Sequence, residues 1–230
     1  MKGISKVLST LSFICLILCM LLSSVQYWCF NRSFYQKEYA KANTSSAMKM
    51  SMKDLMASTD ILLDYLEDRT DSMEIYATVD GDEREVFNDR EKEHMVDVRN
   101  LYHHAMMARD MFGIAGILLL ILLFFKNSRS CVRNLRFGLK YGTQLIAVFL
   151  MLTGIWVVAD FEGFWYTFHE ILFTNDLWLL DPNTSLMINM FPGDFFFHLV
   201  LRIMLTTLSG IVIIRIVLEV LERRKRVCYM

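Results

Sequence analysis

Long apolar runs alternate with polar stretches along the chain, and the length of each run decides what it can be. Crossing about 30 Å of hydrocarbon takes roughly 20 predominantly apolar residues. Four blocks meet that requirement and predict transmembrane helices at about 7–30, 106–125, 141–159 and 195–221, the last carrying Arg202. In the second block the strictly apolar run, Met111 to Phe125, would rise only about 22 Å at 1.5 Å per residue. Its helix must therefore draw upstream residues, Arg109 and Asp110 among them, toward the membrane. Ionisable groups at that depth face a protein interior or a wet cavity, or snorkel to the interface, and both readings stay open for Arg109.

Between the spans the pattern changes period. Met48, Met52, Leu55, Met56, Leu62, Leu63 and Leu66 recur at helical spacing, which predicts a helix over 45–69 with Ser45 as its cap. The Asp80–Gly81 pair in "VDGDER" predicts a turn. Asn88 followed three residues later by Glu91 is a capping-box arrangement, and no proline interrupts the chain from there to Phe125, so one helix is expected throughout. A further helix begins after Asp160, with Phe161, Phe164, Trp165, Phe168 and Leu172 on one side, an aromatic strip suited to an interface.

The first apolar block follows Lys2 and Lys6, as a secretory signal would. Its length exceeds the signal core of about 7–15 residues, and it ends in "VQYWCF" with no small-x-small cleavage site, so a retained anchor is expected. The bulky residues before Cys29 likewise argue against a lipoprotein signal.

Charge supplies the orientation. The connection 126–140 holds five Lys or Arg and no acid, and "ERRKR" near the end adds four more basic residues. The positive-inside rule places this connection and both termini in the cytoplasm. Residues 31–110 hold 17 acids against 11 bases, and 160–194 hold six acids and no Lys or Arg. The expected organisation is thus mainly α: a polytopic membrane protein of four transmembrane helices, with an extracellular cap at 31–105 and an extracellular interfacial segment at 160–194. Trp28, Tyr35, Trp156, Trp165 and Trp178 fall near the outer boundary, as an aromatic belt would. A hydrophobic content of 54% and a net charge of −1 do not suit an ordinary soluble domain, and no nucleic-acid partner is expected. Five cysteines, including Cys131 and Cys228 on the cytoplasmic side, form neither a disulfide framework nor a CxxC pattern.

All five histidines, His94, His103, His104, His169 and His198, fall in or beside the outer segments. His94 has Asp97 at i+3, where a carboxylate could accept the imidazole N–H and fix its orientation. The same spacing also describes a solvated histidine on an acidic helix face. His169 lies in "WYTFHEILFTNDLWLLDP", where it is either an interface residue packed among aromatics or a working imidazole in a dry pocket.

The motifs "FNDREKEHMVDVRNL" (87–101) and "DFEGFWYTFHEILFTNDLWLLDPNTSLMINMFPGDFF" (160–196) together resemble the bacterial lipoprotein intramolecular transacylase family. The resemblance implies a four-helix membrane acyltransferase with an extracellular cap, and catalytic histidines at positions His94 and His169. Its substrate would be a diacylglyceryl lipoprotein in the bacterial cell membrane, with membrane lipid as its surroundings. The acyl chain would pass from the sn-2 glycerol ester to the α-amine of the N-terminal cysteine, giving the lyso form.

Atom counting shows what such an enzyme must supply. Amine nitrogen, two cysteine carbons, sulfur, two glycerol carbons, ester oxygen and acyl carbon close a reluctant eight-membered ring, and folding the substrate into it is worth on the order of several kcal/mol. Nucleophile and electrophile share one molecule, so neither an enzyme nucleophile, a cofactor nor a metal is required. An ammonium with a pKa of about 8 must lose a proton and the departing glycerol oxygen must gain one, work suited to imidazoles. Which histidine is base and which is acid stays open. Asp97 is expected to orient His94. Arg90, Asn175 and the Trp178 indole are candidate oxyanion donors, a role worth about 2.7–4 kcal/mol. Phe87, Trp165 and Phe168 are pocket candidates, the aromatics excluding the water that would hydrolyse the ester. Two other classes compete: a histidine-rich metal-binding membrane protein, which lacks an HExxH or His-x-His spacing, and a non-catalytic membrane partner or sensor subunit.

Overall fold

The structure is a computed structural model that describes residues 2–126 and 131–227. Positions 127–130 of the basic connection, Cys228 and the side chains of the basic tail lie outside the described residues. The helices are α1 (Lys2–Cys29), α2 (Arg32–Ala42), α3 (Thr44–Ala47), α4 (Met52–Leu66), α5 (Asp89–Lys126), α6 (Cys131–Ala159), α7 (Phe161–Leu172), α8 (Leu186–Met190) and α9 (Phe195–Val227). A hairpin, β1 (Tyr76–Val79) and β2 (Asp82–Glu85), precedes α5. The chain divides into two compact units.

The first unit contains Met1–Gln26, Met106–Ala159 and Leu201–Met230. Among the described residues, four helices are long and apolar enough to cross a membrane: Gly3–Cys29, Asp89–Phe125, Arg133–Ala159 and Phe195–Val217. Large apolar side chains stay exposed on these helices, Ile117, Leu118, Ile121 and Leu122 on α5 among them, whereas Ser5, Ser9 and Ser12 of α1 are buried. That inversion of the soluble pattern suits a lipid solvent, in which small residues allow backbones to approach and large apolar ones face outward. Gly138 on α6 meets α1 so closely that a Cβ there would lie 2.4 Å from the Ser9 carbonyl carbon. The Ser12 hydroxyl donates to the Gly116 carbonyl at 3.2 Å, joining α1 to α5. Arg109 donates to Gln26 on α1 and, at 2.8 Å, to Asp110.

The second unit contains Tyr27–Ala105 and Asp160–Val200. Its core gathers Phe34, Tyr35 and Tyr39 of α2, Leu55, Leu62 and Leu63 of α4, and Phe195. The buried Tyr39 hydroxyl pairs with Thr59 Oγ1 at 2.8 Å. The helix expected over 45–69 is broken: α3 ends at Ala47, Lys49 takes a φ of 51°, and α4 starts at Met52. Its cap is Ser51, which accepts from the Asp54 amide, while the Ser45 hydroxyl donates to the Met50 carbonyl and stabilises the break instead. The Asp80–Gly81 turn is there, both residues at positive φ, and it closes the hairpin with Val79 opposite Asp82.

Candidate active site

α5 begins with the capping box read from the sequence. Asn88 Oδ1 accepts from the Glu91 amide at 3.0 Å, and the Glu91 carboxylate accepts from the Asn88 amide at 2.7 Å. Glu91 is fully buried. Its other oxygen accepts from the Ser185 hydroxyl at 2.5 Å and the Met187 amide at 2.8 Å, so the cap also ties the start of α8 to α5. Glu91, His94 and Met95 form one buried face, as their i, i+3, i+4 spacing requires.

α7 begins where Asp160 accepts from the Gly163 amide. Its aromatic strip stacks along the helix, Phe161 on Trp165 at 5.7 Å and Trp165 on Phe168 at 5.4 Å, with Phe196 of α9 on Trp165 at 4.4 Å. His169, one turn past Trp165, is only 8% exposed. Its Nδ1 lies 2.7 Å from the Trp165 carbonyl oxygen. A carbonyl can only accept, so Nδ1 carries the proton and Nε2 keeps the lone pair.

His94 and His169 come together: their ring centroids are 6.4 Å apart, with planes inclined at 33°. Phe173 presents its edge to His94 at 5.3 Å and lies 5.6 Å from His169. Trp165 meets His169 edge-on at 4.8 Å, and Trp178 stacks on it at 4.9 Å. Burial lowers the pKa of both imidazoles. His94 falls to about 4, through burial first, then the nearby His169 and Arg90, against the opposing charge of Asp97. For His169 the Trp165 carbonyl partly offsets burial by holding the protonated form. His94 Nδ1 is buried and has no hydrogen-bond partner among the described residues, an arrangement that a bound group could satisfy.

Other expected contributors are placed differently. Asp97 accepts from Asn175 Nδ2 at 2.8 Å, and no hydrogen bond joins it to His94 among the described residues; it acts on that imidazole through charge. The Trp178 indole N–H donates to the Asn175 carbonyl at 2.9 Å. Arg90 donates to the Asp176 carbonyl and lies 3.5 Å from its carboxylate. Phe168 lies at the edge of the aromatic group, 5.5 Å from His169. Phe87 is fully buried just ahead of α5 and makes no ring contact with either histidine among the described residues. His103 lies 3.0 Å from Asp68 and His198 lies 2.8 Å from Glu38, both apart from the pair, and His104 is exposed. No group of three His, Cys, Asp or Glu positioned to hold a metal occurs among the described residues. Sequence reasoning missed Phe173, which its i+4 spacing from His169 could have revealed, and the Trp165 carbonyl, which no side-chain motif encodes.

A family model described as lipoprotein intramolecular transacylase Lit matches residues 10–196. Among solved structures, the chain is similar to the membrane integral lipoprotein intramolecular transacylase Lit from Bacillus cereus, with a TM-score of 0.83 and 20% identity over 99% of this chain and 100% of that one. Two structures of that protein with one histidine replaced, by arginine and by alanine, give TM-scores of 0.77 and 0.73 at 19% and 18% identity. They cover 99% and 98% of this chain and 96% and 97% of theirs. No curated protein matches the chain.

Proposed function

Because this chain belongs to the lipoprotein intramolecular transacylase family, a family of membrane acyltransferases, we propose that His94 and His169 carry out the proton transfers of that reaction. The substrate in this reading is a diacylglyceryl lipoprotein with a free α-amine. Its sn-2 acyl chain moves to that amine, and the number of acyl chains stays at two. The observation that carries the proposal is the facing pair of buried imidazoles 6.4 Å apart within an aromatic wall.

His169 is the base. Its Nδ1–H is held by the Trp165 carbonyl, which leaves the Nε2 lone pair to take the proton from the amine and stabilises the imidazolium that results. The freed amine nitrogen attacks the acyl carbon, the proton held by His169 passes to the glycerol oxygen as the ester C–O bond of the tetrahedral intermediate breaks, and the nitrogen, which began as an ammonium, releases its second proton to water as the amide forms. His94, neutral near pH 7 because burial holds its pKa to about 4, donates an N–H to the oxyanion. Trp178 spends its only N–H on the Asn175 carbonyl, and His94, whose buried Nδ1 has no partner among the described residues, is the favoured donor. Trp165, Phe173 and Trp178 keep water from the ester.

The charge distribution supports an orientation with both termini cytoplasmic and this site at the outer face of the bacterial cell membrane. Membrane lipid and lipoprotein are the partners in this reading, with no cofactor in the steps above.

The test is a purified protein acting on a diacylglyceryl lipopeptide with a free N-terminal amine, followed by fragment mass spectrometry. The wild type is expected to yield an N-acyl product of unchanged mass. His94→Asn and His169→Asn should each lower turnover by roughly 10²–10⁴-fold, the usual contribution of acid–base or oxyanion groups. Near-full conversion by either variant would refute the two-histidine mechanism.

A further inference from the structure

The segment after α7, "FTNDLW" (173–178), belongs to no regular element beyond turns and bends, yet every polar group of the Asn175 side chain is engaged. Asn175 Nδ2 donates to Asp97 Oδ2 on α5 at 2.8 Å, and Asn175 Oδ1 accepts from the Leu177 amide at 3.1 Å. The Asn175 carbonyl accepts the Trp178 indole N–H at 2.9 Å. Trp178 is thereby laid on His169, centroids 4.9 Å apart and planes within 30°, while Tyr166 of α7 meets the indole edge-on at 4.9 Å.

We propose that Asn175 is a positioning residue: its bond to Asp97 fastens the 173–178 segment to α5 and holds the Trp178 indole over the His169 imidazole. The assignment rests on His169 being the base. Two features of the geometry set its content. The indole spends its only donor on the Asn175 backbone, so its contribution to catalysis is a covering face rather than a hydrogen bond to substrate. Asp97 spends an oxygen on Asn175 and makes no hydrogen bond to His94 among the described residues, so beside its charge on His94 the carboxylate also serves the other histidine, through two intermediaries.

Untethering the segment would let the indole leave and water reach the ring. The charged and titratable groups around this tether are His94, Arg90 and Asp97 of α5, His169 of α7, and Asp176 of the segment itself. Arg90 also holds Asp176, so loss of Asn175 loosens the segment without freeing it entirely. His169 would become wetter, and its ionisation would move up toward that of free histidine.

The experiment compares Asn175→Ala, Asp97→Ala, the double variant and Asp97→Asn, using the diacylglyceryl lipopeptide and following kcat, KM and the pH dependence of kcat. Each alanine variant is expected to lose about tenfold or more in kcat, as small misplacements of a reacting group do, with KM nearly unchanged. The acid limb of kcat should move to higher pH. The double variant should be no worse than the singles, because both remove one bond. Asp97→Asn keeps an oxygen that can accept from Asn175 and should recover most of the turnover. Wild-type kcat and pH profile in Asn175→Ala, or multiplying effects in the double variant, would overturn the positioning role while His169→Asn stays inactive. Activity in His169→Asn would overturn the base assignment beneath it. Should Asn175→Ala not fold, Asp97→Ala against Asp97→Asn asks the same question.

Discussion

At the scale of single residues, the proposed mechanism depends on keeping two imidazoles neutral. Burial lowers both pKa values from about 6.5. The base form of His169 is therefore fully present at neutral pH and is lost only as pH falls through a value below 6.5. In the proposed mechanism, removing the proton from a substrate ammonium, whose free pKa is about 8, falls to that base. The expected kcat profile has a single acid limb with its midpoint below 6.5, and no loss between pH 6.5 and 9 that belongs to either histidine. Initial rates on the lipopeptide across pH 4–9 check this; an acid limb centred above 7 would show that the base is not held down by burial. Both histidines were singled out through the two motifs that carry the family resemblance, whereas spacing alone left each with a packing or solvated alternative; the structure brings the two rings together. The part given to Asp97 was not legible in the sequence, for a physical reason: i, i+3 spacing shows which side chains share a helix face but not which competitor another segment brings. Asn175, 78 positions away, is that competitor.

At the scale of elements, the side-chain caps at Asn88 and Asp160 were readable, whereas the one at Ser51 was not, although its side chain accepts from the Asp54 amide in the same way. Asn88 with Glu91, and Asp160, announce α5 and α7 because their capping bonds are local. The Met50–Ser51 break was hidden: apolar periodicity runs through it, and the Lys49 turn there also pairs with Asp80 across the hairpin. Glu91 shows the same limit, since the Ser185 and Met187 donors arrive from almost a hundred residues away. Close helix contact in the apolar unit makes its own prediction. A methyl at Gly138 would fall 2.1 Å from Ser9 Oγ and 2.5 Å from the Ser9 carbonyl oxygen. The backbone share of that clash cannot be relieved by a rotamer change, so α1 and α6 must part. Overpacking of this kind costs about 1–3 kcal/mol, more than the roughly 1 kcal/mol that alanine gains over glycine in a helix. Gly138→Ala should therefore lower the thermal midpoint in detergent, whereas Gly3→Ala, whose added methyl meets nothing within 4 Å, should not. An unchanged midpoint for Gly138→Ala would mean that the two helices separate at no cost.

At the scale of the whole molecule, the decisive quantity is which side of the membrane each polar segment occupies, and composition and charge speak to it more directly than packing does. The exposed apolar side chains of the four long helices make sense only in a lipid solvent. Lipid alone does not choose a direction. The proposed direction rests on the basic connection at 126–140 and the basic tail, which the positive-inside rule keeps in the cytoplasm. On a background lacking the native cysteines, Asp82→Cys at the hairpin should therefore react with a membrane-impermeant maleimide in intact cells. Lys140→Cys, in the basic connection ahead of the third apolar run, should react only after permeabilisation. The opposite pattern would invert the protein and set His94 and His169, which share the hairpin's unit, on the cytoplasmic side. A diacylglyceryl lipoprotein with a free N-terminal amine on the outer leaflet would then be out of reach. Labelling thus tests the reaction as well as the topology, since facing imidazoles can move protons only for a substrate delivered to their own side.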